Sequence, residues 1–209
     1  MYGHIAKMAE AVKAGVGSAG GSATIYQIPE TLSDDILAKM HAPAKPDYPV
    51  IKPADLTQYD AFLLGVPTRY GNFPAQWKVR GSFQLFLLDI FSRLSWQSFW
   101  DATGGLWASG ALLGKYAGVF VSTGTPGGGQ ETTVISTLST LAHHGIIYVP
   151  MGYGEAFHIL SNLSEVRGGS PWGSGTFSAG DGSRQPSELE IQLAIHHGKY
   201  FYNTVKKAF

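Results

Sequence analysis

The chain has 209 residues, 44% of them apolar and 14% charged, and its basic and acidic residues balance to no formal net charge. That length suits one domain, residues 1–209, with a sizeable core, and the even charge argues against a nucleic-acid stripe or a polybasic surface, which need clustered Lys and Arg. There is no Cys, which excludes disulfides, thiolate zinc sites, iron–sulfur clusters and Cys nucleophiles.

Met1-Tyr2-Gly3-His4-Ile5 leads at once into a helical pattern, with Ile5, Met8, Ala9 and Val12 on one face. Small or polar backbone turning into a helix N-terminus reads as an anion-binding loop, because free N–H groups and the helix dipole both favour negative charge there. No secretory leader pattern opens the chain. The helix ends in the Gly/Ala/Ser stretch 15–22, and residues 23–28 read as a strand stopped by Pro29. Residues 30–57 read as loop with a short helical turn. Residues 60–66 form a continuous apolar run closed by Pro67, as expected of a strand buried on both faces. Residues 116–122 and 145–150 are two more such strands, and residues 131–144 between them read as a helix. The last helix follows Pro186 and runs to about Ala208, with His196 and His197 read as surface or interface residues. Alternating strands and helices imply a parallel sheet with right-handed crossovers, where ligands bind off the carboxyl ends of the strands.

Three loops fall on that edge: the opening loop, residues 67–73 and residues 122–130. Together they offer backbone N–H groups, hydroxyls, one Arg and aromatic rings, which suits a phosphate with a flat heterocycle. No metal site is expected, since the adjacent His143 and His144 point apart on a helix and no carboxylate pair is spaced to help. Ser122 lacks a legible base and orienter, which argues against a serine hydrolase. Asp181 and Arg184 read as holding a loop and a subunit contact.

Seven segments in order, MYGHI (1–5), PTRYGN (67–72), DATGGLWASG (101–110), STGTPGGGQE (122–131), LAHHG (141–145), VRGG (166–169) and GDGSRQPS (180–187), resemble the flavodoxin-like NAD(P)H:quinone oxidoreductases of the WrbA type. The Pro126 form of the fourth segment resembles the fungal branch, which includes minor allergens. The resemblance implies a flavodoxin-like, doubly wound α/β fold with a parallel sheet. It also implies bound FMN, NADH or NADPH as co-substrate, a quinone substrate, a homotetramer built as a dimer of dimers, and a cytoplasmic location.

By the same resemblance Met1, Tyr2, Gly3, His4 and Ile5 form the FMN phosphate loop, with Tyr2 also near the nicotinamide nucleotide. Pro67, Thr68, Arg69, Tyr70, Gly71 and Asn72 lie beside the isoalloxazine and ribityl chain. Ser122, Thr123, Gly124, Thr125, Gly127 and Gly128 flank the pyrimidine edge. His143 contacts the flavin, and Trp107 overhangs the ring and shapes the quinone pocket. Hydride would pass from nicotinamide to flavin and then to quinone in one shared pocket, giving ping-pong kinetics.

Two departures from the family pattern are legible. The family's first, internal strand, which ends in a phosphate-binding Ser, has no counterpart before Met1. Residues 79–97 form an insertion that starts with Val and ends with Gln, compatible with a short intron read in frame. The same segment also carries Phe83, Phe86, Leu87, Ile90, Phe91 and Leu94 at amphipathic-helix spacing, too short and charged to span a bilayer but open to peripheral membrane contact. Two competing functions therefore stand beside the quinone reductase. One is a non-catalytic, truncated and intron-retaining product, and the other is a flavodoxin-type electron carrier.

Overall fold

The computed structural model describes residues 3–30, 33–39, 42–44, 46–72 and 99–209. Met1, Tyr2 and the insertion at 79–97 lie outside the described residues. In chain order the elements are α1 (His4–Ser18), α2 (Asp34–Lys39), β1 (Ala61–Pro67), α3 (Gly104–Ala108), β2 (Tyr116–Thr123), α4 (Gln130–His143), β3 (Ile147–Tyr148), α5 (Phe157–Leu160), β4 (Gly175–Phe177) and α6 (Glu188–Val205).

All strand pairs are parallel, in keeping with the expected α/β sheet. β1 runs along one edge of β2 in full register, from Ala61 opposite Tyr116 to Pro67 opposite Ser122. The other edge of β2 is shared. β3 covers Tyr116 and Ala117, while β4 covers Val121 to Thr123, so the chain leaves the sheet after β3 and re-enters it further along the same strand. The strand expected over 145–150 is correspondingly short, and β4 carries no apolar run that would announce it.

The strand expected over 23–28 does not form. Gln27 makes one isolated bridge to Val50, with Gln27 N donating to Pro49 O at 2.9 Å and Ile51 N to Gln27 O at 2.9 Å. A strand is defined by its partner ladder, and among the described residues no named strand lies beside this segment. Its side chains still serve the core: Ile28 packs on the main cluster, and the Tyr26 and Tyr59 hydroxyls meet at 2.6 Å.

Alternation along β2 makes the sheet doubly wound. Ala117, Val119 and Val121 face a core shared with Val134 and Leu141 of α4, while Phe120 faces Met8, Ala11 and Val12 of α1 and Ala194 of α6. α1 and α6 pack backbone to backbone. A Cβ on Gly15 would fall 1.9 Å from Ile195 O, and one on Gly198 would fall 2.0 Å from Val12 O. α6 starts at a reciprocal cap, Ser187 N donating to Glu190 Oε2 at 2.8 Å and Ser187 Oγ accepting from Glu190 N at 3.4 Å. His197, expected at the surface, is fully buried. The helical period turns it onto the sheet, where Gly118 leaves room for its ring. His196 is half-buried and stacks on Tyr200. Among the described residues no helix is long and apolar enough to cross a membrane.

Candidate functional site

α1 begins at the carboxyl edge of the sheet, where the Ile5 side chain lies against Gly65 of β1. Gly3 caps it at φ 81° and supplies no side-chain hydrogen bond to the first turn. The first N–H groups of a helix have no acceptor within it, so this fifteen-residue helix presents them at its end. His4 is buried there, its Nε2 2.6 Å from Arg184 O, and Lys7 Nζ donates to Gln185 Oε1 at 2.6 Å. Both contacts tie the first turn to the 178–187 loop.

The loop after β1 is a two-residue reversal. Arg69 N donates to Asn72 O at 2.8 Å and Asn72 N to Arg69 O at 3.0 Å. Tyr70 and Gly71 between them have φ of 54° and 73°, the pair of positive values that a type I′ turn requires. Tyrosine seldom adopts that conformation, and here it holds the ring 83% exposed at the carboxyl edge of the sheet. Thr68 N donates to Ser122 O at 2.8 Å, the Thr68 hydroxyl meets that of Thr133 at 2.7 Å, and Arg69 Nη1 donates to Thr68 O at 3.1 Å. Pro67 closes β1 opposite Ser122.

The loop after β2 folds through its own hydroxyls. Thr123 Oγ1 donates to Thr125 O at 2.9 Å, and Gly128 N donates to the same carbonyl at 3.0 Å. Gly129, at φ 108°, caps α4 without a side-chain bond. Ser122 and Thr123 are buried, Thr125 and Gly127 are exposed, and a Cβ on Gly127 would meet nothing within 4 Å. Gly124 passes under Ala179 O.

One residue outside the sequence-derived set joins these parts. Gln130 Nε2 donates to Thr123 Oγ1 at 2.9 Å and to Thr176 O at 3.1 Å, while its Oε1 accepts from Gly169 N at 2.8 Å. It thus ties the ends of β2 and β4 to the 166–169 loop. Glu190 is a second organiser. Fully buried, it accepts from Gly168 N, Thr176 Oγ1, Ser187 N and Arg184 Nη1, the last an ion pair at 2.9 Å. Arg184 therefore holds the 178–187 loop, as read from sequence. The Ser187–Glu190 spacing is a capping-box pattern that would have flagged Glu190. Gln130 stood inside the glycine-rich segment with nothing in the sequence to mark its partners.

His143 and Trp107 stand elsewhere. α4 leaves the carboxyl edge at Gly129 and ends at His143, a rise of roughly 20 Å at about 1.5 Å per residue. The chain then enters β3 beside Tyr116, at the start of β2, so His143 lies at the amino edge. Trp107, 58% exposed on α3, lies at that edge too, since Gly114 N donates to Gly145 O at 3.0 Å just beyond it. Within one copy these two side chains are separated from the glycine loops. The adjacent His144 is buried, with Nε2 2.9 Å from Thr103 Oγ1, and burial followed by the nearby His143 charge holds its pKa below the usual value. Among the described residues no group of three or more metal-ligating side chains comes together.

No family model matches the chain. It is 59% identical over 207 residues to the NAD(P)H quinone oxidoreductase PST1 of Candida albicans, covering 99% of this chain and 94% of that protein. It is 57% identical over 210 residues to the minor allergen Alt a 7 of Alternaria alternata, covering 100% and 94%. The crystal structure of a flavodoxin, WrbA-like protein from Agrobacterium tumefaciens superposes with a TM-score of 0.58 at 20% identity, covering 99% of this chain and 92% of that one, a likeness of fold. At these identities over nearly the whole length, the chain belongs to the fungal NAD(P)H quinone oxidoreductases, on a flavodoxin-like fold.

Proposed function

We propose that the chain holds FMN at the carboxyl edge of its sheet and passes two electrons from NADH or NADPH to a quinone. The observation that carries this reading is the meeting of three backbone features on that edge: the α1 N-terminus, the 69–72 turn and the 122–130 loop. The residues present fit such a group. Uncapped helix N–H groups after Gly3 suit a phosphate, and the exposed Tyr70 ring with Thr68 and Arg69 suits a flat ring system and its polyol. When bound, the flavin would supply the hydride relay that no side chain of this protein can provide.

The chain's own residues bind and orient. The α1 N-terminus would hold the phosphate by its N–H groups and dipole, with Met1, Tyr2, His4 and Ile5 forming that loop. Backbone N–H groups of Gly124 and Gly127 would stabilise negative charge at the pyrimidine edge, with Gly128 N holding the loop through Thr125 O. The reading includes a homotetramer, a dimer of dimers. Trp107 and His143 lie at the opposite edge of their own copy, so they reach a carboxyl-edge pocket only across a boundary between copies. There Trp107 would stack on the quinone or nicotinamide, and His143 would donate a hydrogen bond near the ring. A single pocket serving both substrates in turn requires ping-pong kinetics. The reading extends to a cytoplasmic location.

Protein incubated with FMN and desalted should keep its yellow colour and turn over NADH with benzoquinone. A protein that takes up no flavin would sink the proposal, as would riboflavin binding as tightly as FMN. Mixing Arg69→Ala and Trp107→Ala chains should restore part of the activity if the pocket spans two copies.

A further inference from the structure

Trp107 and His143 come from different elements, and His144 is bonded to the cap of one while capping the other. The Thr103 hydroxyl donates its single proton to Trp100 O at 2.6 Å, so toward His144 Nε2, at 2.9 Å, it can only accept. His144 is therefore the Nε2–H tautomer, donating to Thr103. Thr103 is the N-cap of α3, and its carbonyl accepts from Trp107 N at 3.0 Å. His144 is the C-cap of α4, next to His143. One hydrogen bond, buried at both ends, joins the cap that starts the helix of Trp107 to the cap that follows His143.

The surroundings leave this bond little play. The Trp100 and His144 rings lie 5.4 Å apart, and a Cβ on Gly145 would fall 2.3 Å from Leu113 Cδ2. His144 Nδ1, in contrast, is buried with no hydrogen-bond partner among the described residues. An orphaned acceptor costs stability, a cost that an apolar side chain filling the same space would avoid. The histidine gives in return a directed N–H to Thr103.

We propose that His144 is a positioning residue. Through Thr103 it fixes Trp107 relative to His143, and so the wall that these two would present to the flavin and quinone of a neighbouring copy. This rests on the functional reading above. The test uses FMN-loaded full-length protein, assayed below the melting temperature of every variant. His144→Leu and Thr103→Val should each raise the KM for benzoquinone about tenfold and weaken FMN binding, the double variant should be no worse than either, and His144→Gln, which keeps an N–H donor, should stay near wild type. A role in stability alone would lower the melting temperature and move neither constant. Unchanged KM and FMN dissociation constants in folded Thr103→Val overturn the proposal, as does an additive double variant. If Trp107→Ala and His143→Ala also move neither constant, the functional reading itself fails and takes the proposal with it.

Discussion

Gly71 and Gly129 touch backbone to backbone: a Cβ on Gly129 would lie 2.4 Å from the Gly71 Cα. The two residues belong to the loops after β1 and β2. Their contact, with the Thr68–Thr133 hydroxyl bond beside it, makes one continuous floor from two loops. Both also have positive φ, 73° and 108°, where any side chain is strained.

Gly129→Ala therefore meets two penalties at once, a clash and an unfavourable backbone. Gly71→Ala would press on Thr132 Oγ1 at 2.6 Å. Each substitution should cost about 1–3 kcal/mol in urea unfolding. FMN titration should show weaker binding in both, and Gly127→Ala, with open space around it, should be mild by comparison.

Gln130→Met keeps the shape of the side chain and removes all three of its hydrogen bonds. Gly169 N and Thr176 O would lose a partner, at about 1–3 kcal/mol for each group left buried and unpaired. Gln130→Glu should be no better, because a carboxylate cannot donate to Thr176 O. Thermal melts with and without FMN would show the larger loss in the presence of flavin if the loop is part of its pocket.

His197 should make stability fall with acid. Its Nδ1 faces Ser174 N and Oγ, its Nε2 lies against Gly118, and the charge nearest it is His196. Burial, with a smaller contribution from His196, pushes its pKa from 6.5 down to about 3. Between those values the unfolded chain takes up a proton that the native chain refuses. Stability contributed by the neutral ring is then complete above pH 6.5 and lost progressively toward pH 3, on the order of a few kcal/mol over the window. Urea midpoints at pH 7 and pH 5 should differ in the wild type, and His197→Leu should shrink that difference, leaving the smaller part that burial of His144 and His196 contributes.

Gly198→Ala should disrupt the α1–α6 contact, since its Cβ would overlap Val12 O. Helix propensity favours alanine by up to about 1 kcal/mol, but the clash outweighs it, and a net loss of about 1–3 kcal/mol is expected. Lys199→Ala, one position on and exposed, is the matched control for the melts.

Local pattern was enough for β1, β2, α1, α4 and α6, because long apolar runs and helical periods survive any tertiary arrangement. It was also enough to recognise the family from ordered glycine-rich segments, whose spacing reflects turns the backbone must make. Pairing, in contrast, is non-local. Only the folded chain decided that residues 23–28 would make a single bridge, that β3 and β4 would share one edge of β2, and that His197 would turn inward. The candidate site divides the same way. Thr68 to Asn72 and Ser122 to Gly128 are adjacent in sequence and stay together in space. His143 and Trp107 were singled out by type, but the length and direction of α4 carry His143 to the far edge of the sheet, and the Gly114–Gly145 contact keeps α3 with Trp107 there too. Gln130, Glu190 and His144 acquire their roles from partners distant in the chain, and hydrogen-bond geometry between distant segments exists only once the chain has folded.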